Sequence, residues 1–106
     1  MSMMRVVSDV ILKLPMITSV DIIDGEPKSV GIVCAGEHNV AIIYNQDATS
    51  ICIVSTYEMS APAVTVDLCD PNSIKKITDT VCEAAKAYLE AVDKARRAAK
   101  MWTDVA

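Results

Sequence analysis

Five short apolar runs with very short connections constrain the fold of this chain more than any other feature. They are ITSVDIID (17–24), SVGIVCA (29–35), NVAIIYN (39–45), SICIVSTY (50–57) and AVTVDLC (63–69). All are rich in β-branched residues, which favour strands. The connections are too short to hold a crossover helix, so neighbouring strands must run antiparallel. The sequence therefore predicts a five-stranded antiparallel β-meander.

A short amphipathic helix is predicted before the strands, over residues 2–14. Its apolar residues recur at helical spacing, and they are Met4, Val7, Ile11 and Leu14. Pro15 ends this helix, because the residue before a proline avoids the helical conformation.

A much longer helix is predicted after the strands, over residues 71–102. Asp70 suits the N-cap position, and Pro71 suits the first helical position. Such a helix is roughly 45 Å long at about 1.5 Å per residue, whereas a strand of this size spans only about 23 Å. About half of the helix must therefore extend past the sheet. The whole chain, residues 1–106, is predicted to be one α+β domain with this C-terminal helix packed on the sheet.

One apolar stripe runs along the C-terminal helix at alternating spacings of three and four residues. Its members are Ile74, Ile77, Val81, Ala84, Tyr88, Ala91, Ala95, Ala98 and Trp102. The large residues of the first half suit a sheet, and the alanines of the second half suit the close approach of another helix. We expect that helix to be the N-terminal one or a copy of the same helix in a homodimer. The residues predicted for self-association are Ala84, Tyr88, Ala91, Ala95, Ala98 and Trp102. The alternative is that alanine is simply the best helix former on a half-exposed tail.

The turns predict which side chains share a face of the sheet. They indicate that Ala35 faces Val40, and in the next hairpin that Tyr44 faces Ile51. The predicted main core face carries Val20, Ile22, Val33, Val40, Ile42, Tyr44, Ile51, Ile53, Val64, Val66 and Leu68. The predicted second face carries Val30, Ile32, Cys34, Ala41, Ile43, Cys52 and Val54. A solvated face would be polar in its central strands, so we expect the second face to be covered. The N-terminal helix, a second subunit or a partner are the candidates. Gly31, in mid-strand, indicates a bulge or a close approach.

Charge is distributed unevenly along the chain. Residues 16–72 hold eight acids and one base, a net charge of −7, whereas residues 73–106 hold seven bases and five acids. The acidic loop residues are Asp24, Glu26, Glu37, Asp47 and Glu58. They predict a non-enzymatic protein–protein interaction module, an adaptor or inhibitor that binds a basic protein surface. One version is a phage or mobile-element inhibitor that occupies the nucleic-acid-binding site of its target.

Two other functions stay open. One is a small dimeric enzyme or ligand-binding domain with a pocket near His38, the only histidine of the chain. The other is nucleic-acid binding through the basic residues of the C-terminal helix. These are Lys94, Arg96, Arg97 and Lys100. Cations there also complement the helix dipole, and the acidic sheet would repel nucleic acid, so we expect no nucleic-acid partner.

No cofactor, metal or catalytic motif is present in the sequence. The cysteines are Cys34, Cys52, Cys69 and Cys82. They lack CxxC spacing and sit in or next to apolar runs, so we expect reduced cysteines that pack as small hydrophobes. A zinc site that combined three of them with His38 fails on spacing. No apolar run reaches the roughly 20 residues of a membrane helix. Asp9 and Lys13 interrupt the N-terminal stretch, unlike in a signal peptide, and we expect a cytoplasmic protein.

Overall fold

The computed structural model describes residues 3–23, 29–57 and 62–105. It has a short N-terminal helix, five strands and a long C-terminal helix. The elements are α1 (Met3–Ile11), β1 (Ser19–Ile23), β2 (Val30–Ala35), β3 (His38–Asn45), β4 (Ser50–Ser55), β5 (Val64–Asp67) and α2 (Ser73–Val105). The strands form one sheet in the order β1-β2-β3-β4-β5, and every neighbouring pair is antiparallel. The predicted α+β fold, with its meander and its long helix packed on the sheet, is confirmed.

Both helices pack on the same face of the sheet. α1 contacts β1 and β2, α2 contacts β3, β4 and β5, and the two helices touch each other. Met4 and Ile11 of α1 lie in one buried cluster with Ile77 and Val81 of α2. The domain therefore has two layers. Our expectation that the N-terminal helix helps to cover the second sheet face is wrong, because α1 shares the core with α2.

The hairpin between β2 and β3 is tighter than the sequence indicated. Ala35 pairs with His38, whereas we predicted Val40. Gly36 permits this turn, since its φ of 65° lies in the left-handed region that favours glycine. A β-bulge follows in the same strand pair. Beside it Val40 and Ala41 are both fully buried, because a bulge interrupts the alternation of side chains. Ala41 had been predicted for the second face.

The hairpin between β3 and β4 also differs in register, because Tyr44 pairs with Cys52 and not with Ile51. The corrected pairing reverses the predicted faces in the second half of β3. Ile43 belongs to the core, with 1% of its surface exposed, whereas Ile42 and Tyr44 lie on the other face and are 36% and 37% exposed. The other predicted core residues of the sheet do face the helices. They are Val20, Ile22, Val33, Val40, Ile51, Ile53, Val64, Val66 and Leu68.

Both helices differ by a few residues from their predicted ends. α1 ends at Ile11, because the turns before Pro15 are tightened. There the N–H of Leu14 donates to the carbonyl of Ile11 at 3.0 Å, an i→i+3 bond. α2 continues past Trp102 to Val105.

The start of α2 uses Asp70 differently from the predicted N-cap. The helix begins at Ser73, and its first i→i+4 bond runs from the N–H of Lys76 to the carbonyl of Asn72 at 3.0 Å. The carboxylate of Asp70 accepts the N–H of Asn72 at 2.8 Å and the ammonium of Lys76 at 2.9 Å. Asp70 therefore stabilises the turn that leads into the helix, and the helix itself begins two residues later than predicted. Neither helix, within the described ranges, has the length and apolar character that crossing a membrane requires.

Candidate interaction surfaces

The face of the sheet opposite the helices is apolar, and no helix or strand among the described residues packs over it. We call it the open face, and its apolar members are Ile23, Val30, Ile32, Cys34, Ile42, Tyr44, Cys52 and Val54. Ile32, Ile42 and Val54 form one row across the three central strands. An antiparallel sheet that meets water is normally polar on its solvent side. This sheet is apolar on both sides, so the open face has the composition of an interface.

Two thiols of the open face are buried. Cys34 and Cys52 are only 8% and 4% exposed. The thiol of Cys34 donates to the side-chain oxygen of Asn39 at 3.1 Å. A hydrogen bond with Cys52 raises the pKa of Tyr44 above 10.0. All four cysteines are free, and Cys34 and Cys52 pack in the sheet as small hydrophobes do.

The border of the open face is acidic. Asp21 on β1 pairs with Ile32, Asp67 on β5 pairs with Ser50, and both aspartates are exposed. No lysine or arginine occurs in the five strands. Among the described residues, the open face therefore combines an apolar centre with negative charge at both edges.

The predicted acidic loops are only partly described. Asp24, Glu26 and Glu58 lie outside the described residues. Glu37 follows β2 and Asp47 follows β3, so these two carboxylates lie at opposite ends of an antiparallel sheet. They do not belong to one patch.

Asp47 has a structural contact of its own. Its carboxylate accepts the N–H of Thr49 at 2.9 Å and the hydroxyl of Thr49 at 3.3 Å. The pKa of Asp47 is lowered, chiefly by the hydrogen bond from that backbone N–H. This Asx turn gives Asp47 a structural role in the β3–β4 connection, so no binding partner is needed to explain an aspartate there.

The second half of α2 extends beyond the sheet. We call residues Leu89–Val105 the α2 tail, and it is roughly 25 Å long at about 1.5 Å per residue. It makes the molecule elongated, with extents of 55 × 27 × 25 Å. Large apolar side chains on it are exposed, including Trp102 at 78% and Val105 at 83%. Such exposure of a tryptophan is unusual for a surface that contacts only water.

The residues predicted for self-association divide between the domain and its tail. Ala84 lies in the core at 3% exposure, and Tyr88 packs against that core. Exposed positions on the tail hold Ala91, Ala95, Ala98 and Trp102. Only these last four are free to contact another chain.

An aromatic cluster marks the point where α2 leaves the sheet. The ring of Tyr88 lies 5.3 Å from the ring of His38 and 5.2 Å from the ring of Tyr57. The imidazole of His38 forms no hydrogen bond with any described residue, so no described acid orients it as a general base. The contacts fix the direction in which the tail departs.

The enzyme pocket near His38 stays a prediction. An open cleft of about 490 Å³ lies beside Tyr57. Glu83, Lys86, Glu90 and Lys94 of α2 line it, and His38 does not. No group of histidine, cysteine or acidic side chains among the described residues is arranged to hold a metal ion.

The four basic residues named for nucleic-acid binding all lie exposed on the tail. Arg97 pairs with Asp93 at 2.8 Å. Lys94, Arg96 and Lys100 form no ion pair within the described ranges. Nucleic-acid binding by this helix stays a prediction.

The sequence reasoning missed Ile42 and Tyr44 as members of the open face. The available signal was Gly36, whose placement favours a two-residue turn and so an earlier start of β3. No protein-family model, curated protein or solved structure matches this chain.

Proposed function

We propose that the protein is a non-enzymatic interaction module that binds an apolar element of a partner protein on its open face. The supporting observation is the row Ile32, Ile42 and Val54, which lies at the centre of a sheet face over which neither helix packs. Sheets of globular domains bury their apolar faces against another layer. On this face the missing layer is supplied by the partner.

The shape of the surface favours a protein rather than a small molecule. Small ligands bind in concave pockets that enclose most of their surface. The open face is one side of a pleated sheet, and it suits a helix or a second sheet, which pack on such surfaces.

The charge of the surface favours a partner with basic residues around its apolar part. Asp21 and Asp67 flank the open face. Opposite charges at the rim of an interface raise the association rate and exclude wrong partners. The acidic loop residues Asp24, Glu26, Glu37, Asp47 and Glu58 remain part of this proposal as contributors to the negative field.

The test is site-specific photo-crosslinking with a photoreactive amino acid at position 42. Position 6 is the matched control, because Val6 is an apolar residue of similar exposure, 40%, on the opposite layer of the domain. We expect covalent protein adducts from position 42 and few from position 6. No adducts, or equal yields from both positions, would refute an interaction surface on the open face.

The electrostatic part has its own readout. The yield from position 42 should fall as salt is raised, and it should fall in an Asp21→Lys, Asp67→Lys double variant. A yield that does not change with salt would show that the contact is purely apolar. The acidic border would then contribute nothing to binding.

A further inference from the structure

We propose that the element bound on the open face is the α2 tail of a second copy of this chain, in a reciprocal two-fold dimer. This inference rests on the proposed function of the open face and names its partner. Four observations carry it: the continuity of the helical stripe, the geometry of the tail, the match in size and the match in charge.

The stripe on α2 is continuous from the domain into the tail. Val81 and Ala84 face the chain's own sheet and are buried. The same side of the helix continues with Ala91, Ala95 and Trp102, at the same alternating spacing. A straight helix keeps its direction, so the tail presents its stripe toward the plane of the sheet but past the sheet's end. A second sheet in that plane would receive this stripe.

A two-fold axis provides that second sheet. α2 passes the end of the sheet where β3 begins, as the contact between Tyr88 and His38 shows. We place the two-fold axis at this end of the sheet, in the plane of the sheet and perpendicular to the strands. Rotation about this axis sets two sheets end to end in one plane, with their helices on opposite sides. Each tail then lies on the open face of the other copy. The contact is made twice, and the arrangement closes as a dimer.

The dimensions of the two surfaces agree. The tail is roughly 25 Å long, and strands of six to eight residues are about 20–26 Å long. A helix about 10 Å wide therefore covers about 250 Å² of each open face. Two tails and two faces bring the buried area to about 1,000 Å², which is about the minimum expected of a biological interface. The small Ala95 and Ala98 of the tail suit the large Ile42 and Tyr44 of the open face.

The charges of the two surfaces are opposite. Arg96 and Lys94 flank the stripe on the tail and have no ion-pair partner among the described residues. Asp21 and Asp67 flank the open face. A contact between two open faces would instead bring acidic borders together, and a contact between two tails would bring Arg96 near its own copy. The contact between a tail and an open face is the one that pairs unlike charges.

The deciding experiment is crosslinking within the purified full chain. Protein with the photoreactive residue at position 42 is mixed with unmodified, isotope-labelled protein, and the adducts are mapped by mass spectrometry. We expect adducts between copies that join position 42 to residues 91–102. Adducts that join position 42 to the sheet of the second copy, or no adduct between copies, would overturn the inference. If position 42 gives no adducts between copies but does give adducts to a different protein in cells, the proposed function stands and only the dimer is refuted. If it gives neither kind of adduct, the dimer and the proposed function are both refuted.

Solution mass gives an independent check. Light scattering should show a dimer of the 11.4 kDa chain, and Ala95→Glu and Ile42→Asp should each yield folded monomers. Met101→Glu, at an exposed position of the tail that points away from the stripe, and Val6→Asp, on the helical layer, are the matched controls that should remain dimeric. A dimer that survives Ala95→Glu indicates contact between sheets, and one that survives Ile42→Asp indicates contact between tails. Either result contradicts this assignment.

Discussion

Gly31 is the residue that lets α1 lie close to the sheet. A β-carbon built at this position would meet the sulfur of Met4 at 3.3 Å, and Met4 itself is only 1% exposed. The sequence predicted a bulge or a close approach at this glycine, and the close approach is what the structure shows. The identity of the approaching residue was beyond sequence reasoning, because it depends on which face α1 occupies.

We predict that Gly31→Val destabilises the domain by about 1–3 kcal/mol, because the added methyl groups overpack the contact with Met4. Met4→Ala alone should cost about 2–5 kcal/mol by leaving a cavity. In the double variant the valine fills part of that cavity, so the combined cost should be smaller than the sum. Urea unfolding of the four proteins measures this coupling. Strictly additive costs would contradict the contact.

Asp70 links the stability of the domain to pH. Lys76 first, and then the N–H of Asn72, lower the pKa of this carboxyl below its ordinary value of 3.8. A group whose pKa is lowered by folding stabilises the fold above its ordinary pKa. That contribution is lost as the pH falls through the lowered pKa.

We predict that Asp70→Asn lowers the urea midpoint near neutral pH, and that the difference from wild type shrinks well below pH 3.8. Asp104→Asn is the control, because Asp104 forms no ion pair with any described residue. A difference that stays constant across this pH range would show that the charge of Asp70 is not the source of its effect.

Strand β3 is the element in which sequence and structure disagree most. The order and direction of all five strands followed from short connections alone. The faces of β1, β2, β4 and β5 followed from alternation. The pattern failed in β3, since NVAIIYN offers apolar residues in both alternating sets, and only the tight turn at Gly36 and the bulge decide between them.

This register predicts opposite costs for two adjacent isoleucines. Ile43→Ala should destabilise the monomer by about 2–5 kcal/mol, because Ile43 is buried under the helices. Ile42→Ala should cost below about 1 kcal/mol in the monomer, because Ile42 lies on the open face. Unfolding is to be measured at a protein concentration too low for association. If Ile42→Ala destabilised the monomer more than Ile43→Ala, the register predicted from the sequence would be correct and the register of the structure wrong.

The elongated shape of the whole molecule comes from a helix that is longer than its sheet. This excess length was visible in the sequence, because about 30 helical residues exceed the span of any of the strands. The open face was foreseen as a second apolar face, but its true membership and the shared side of both helices were not. Those depend on long-range packing that periodicity does not encode.

We predict that amide exchange in the α2 tail depends on protein concentration. An unpacked helix of this length is marginal in water, so residues 89–105 should exchange quickly in dilute monomer and slowly in concentrated dimer. Residues 77–85 should be protected at both concentrations, because Ile77, Val81 and Ala85 are buried in the domain. Equal exchange of the tail at both concentrations would contradict self-association through it.

The meander order also determines how the chain completes its fold during synthesis. Every strand pairs with its neighbour in sequence, so the hairpins can form in turn as they leave the ribosome, and such local topologies fold quickly. The core stays incomplete until α2 has been synthesised, because α2 supplies Ile77 and Val81. Until then the nascent sheet is apolar on both sides and prone to aggregation. The yield of soluble protein should therefore depend on α2, which is translated after all five strands.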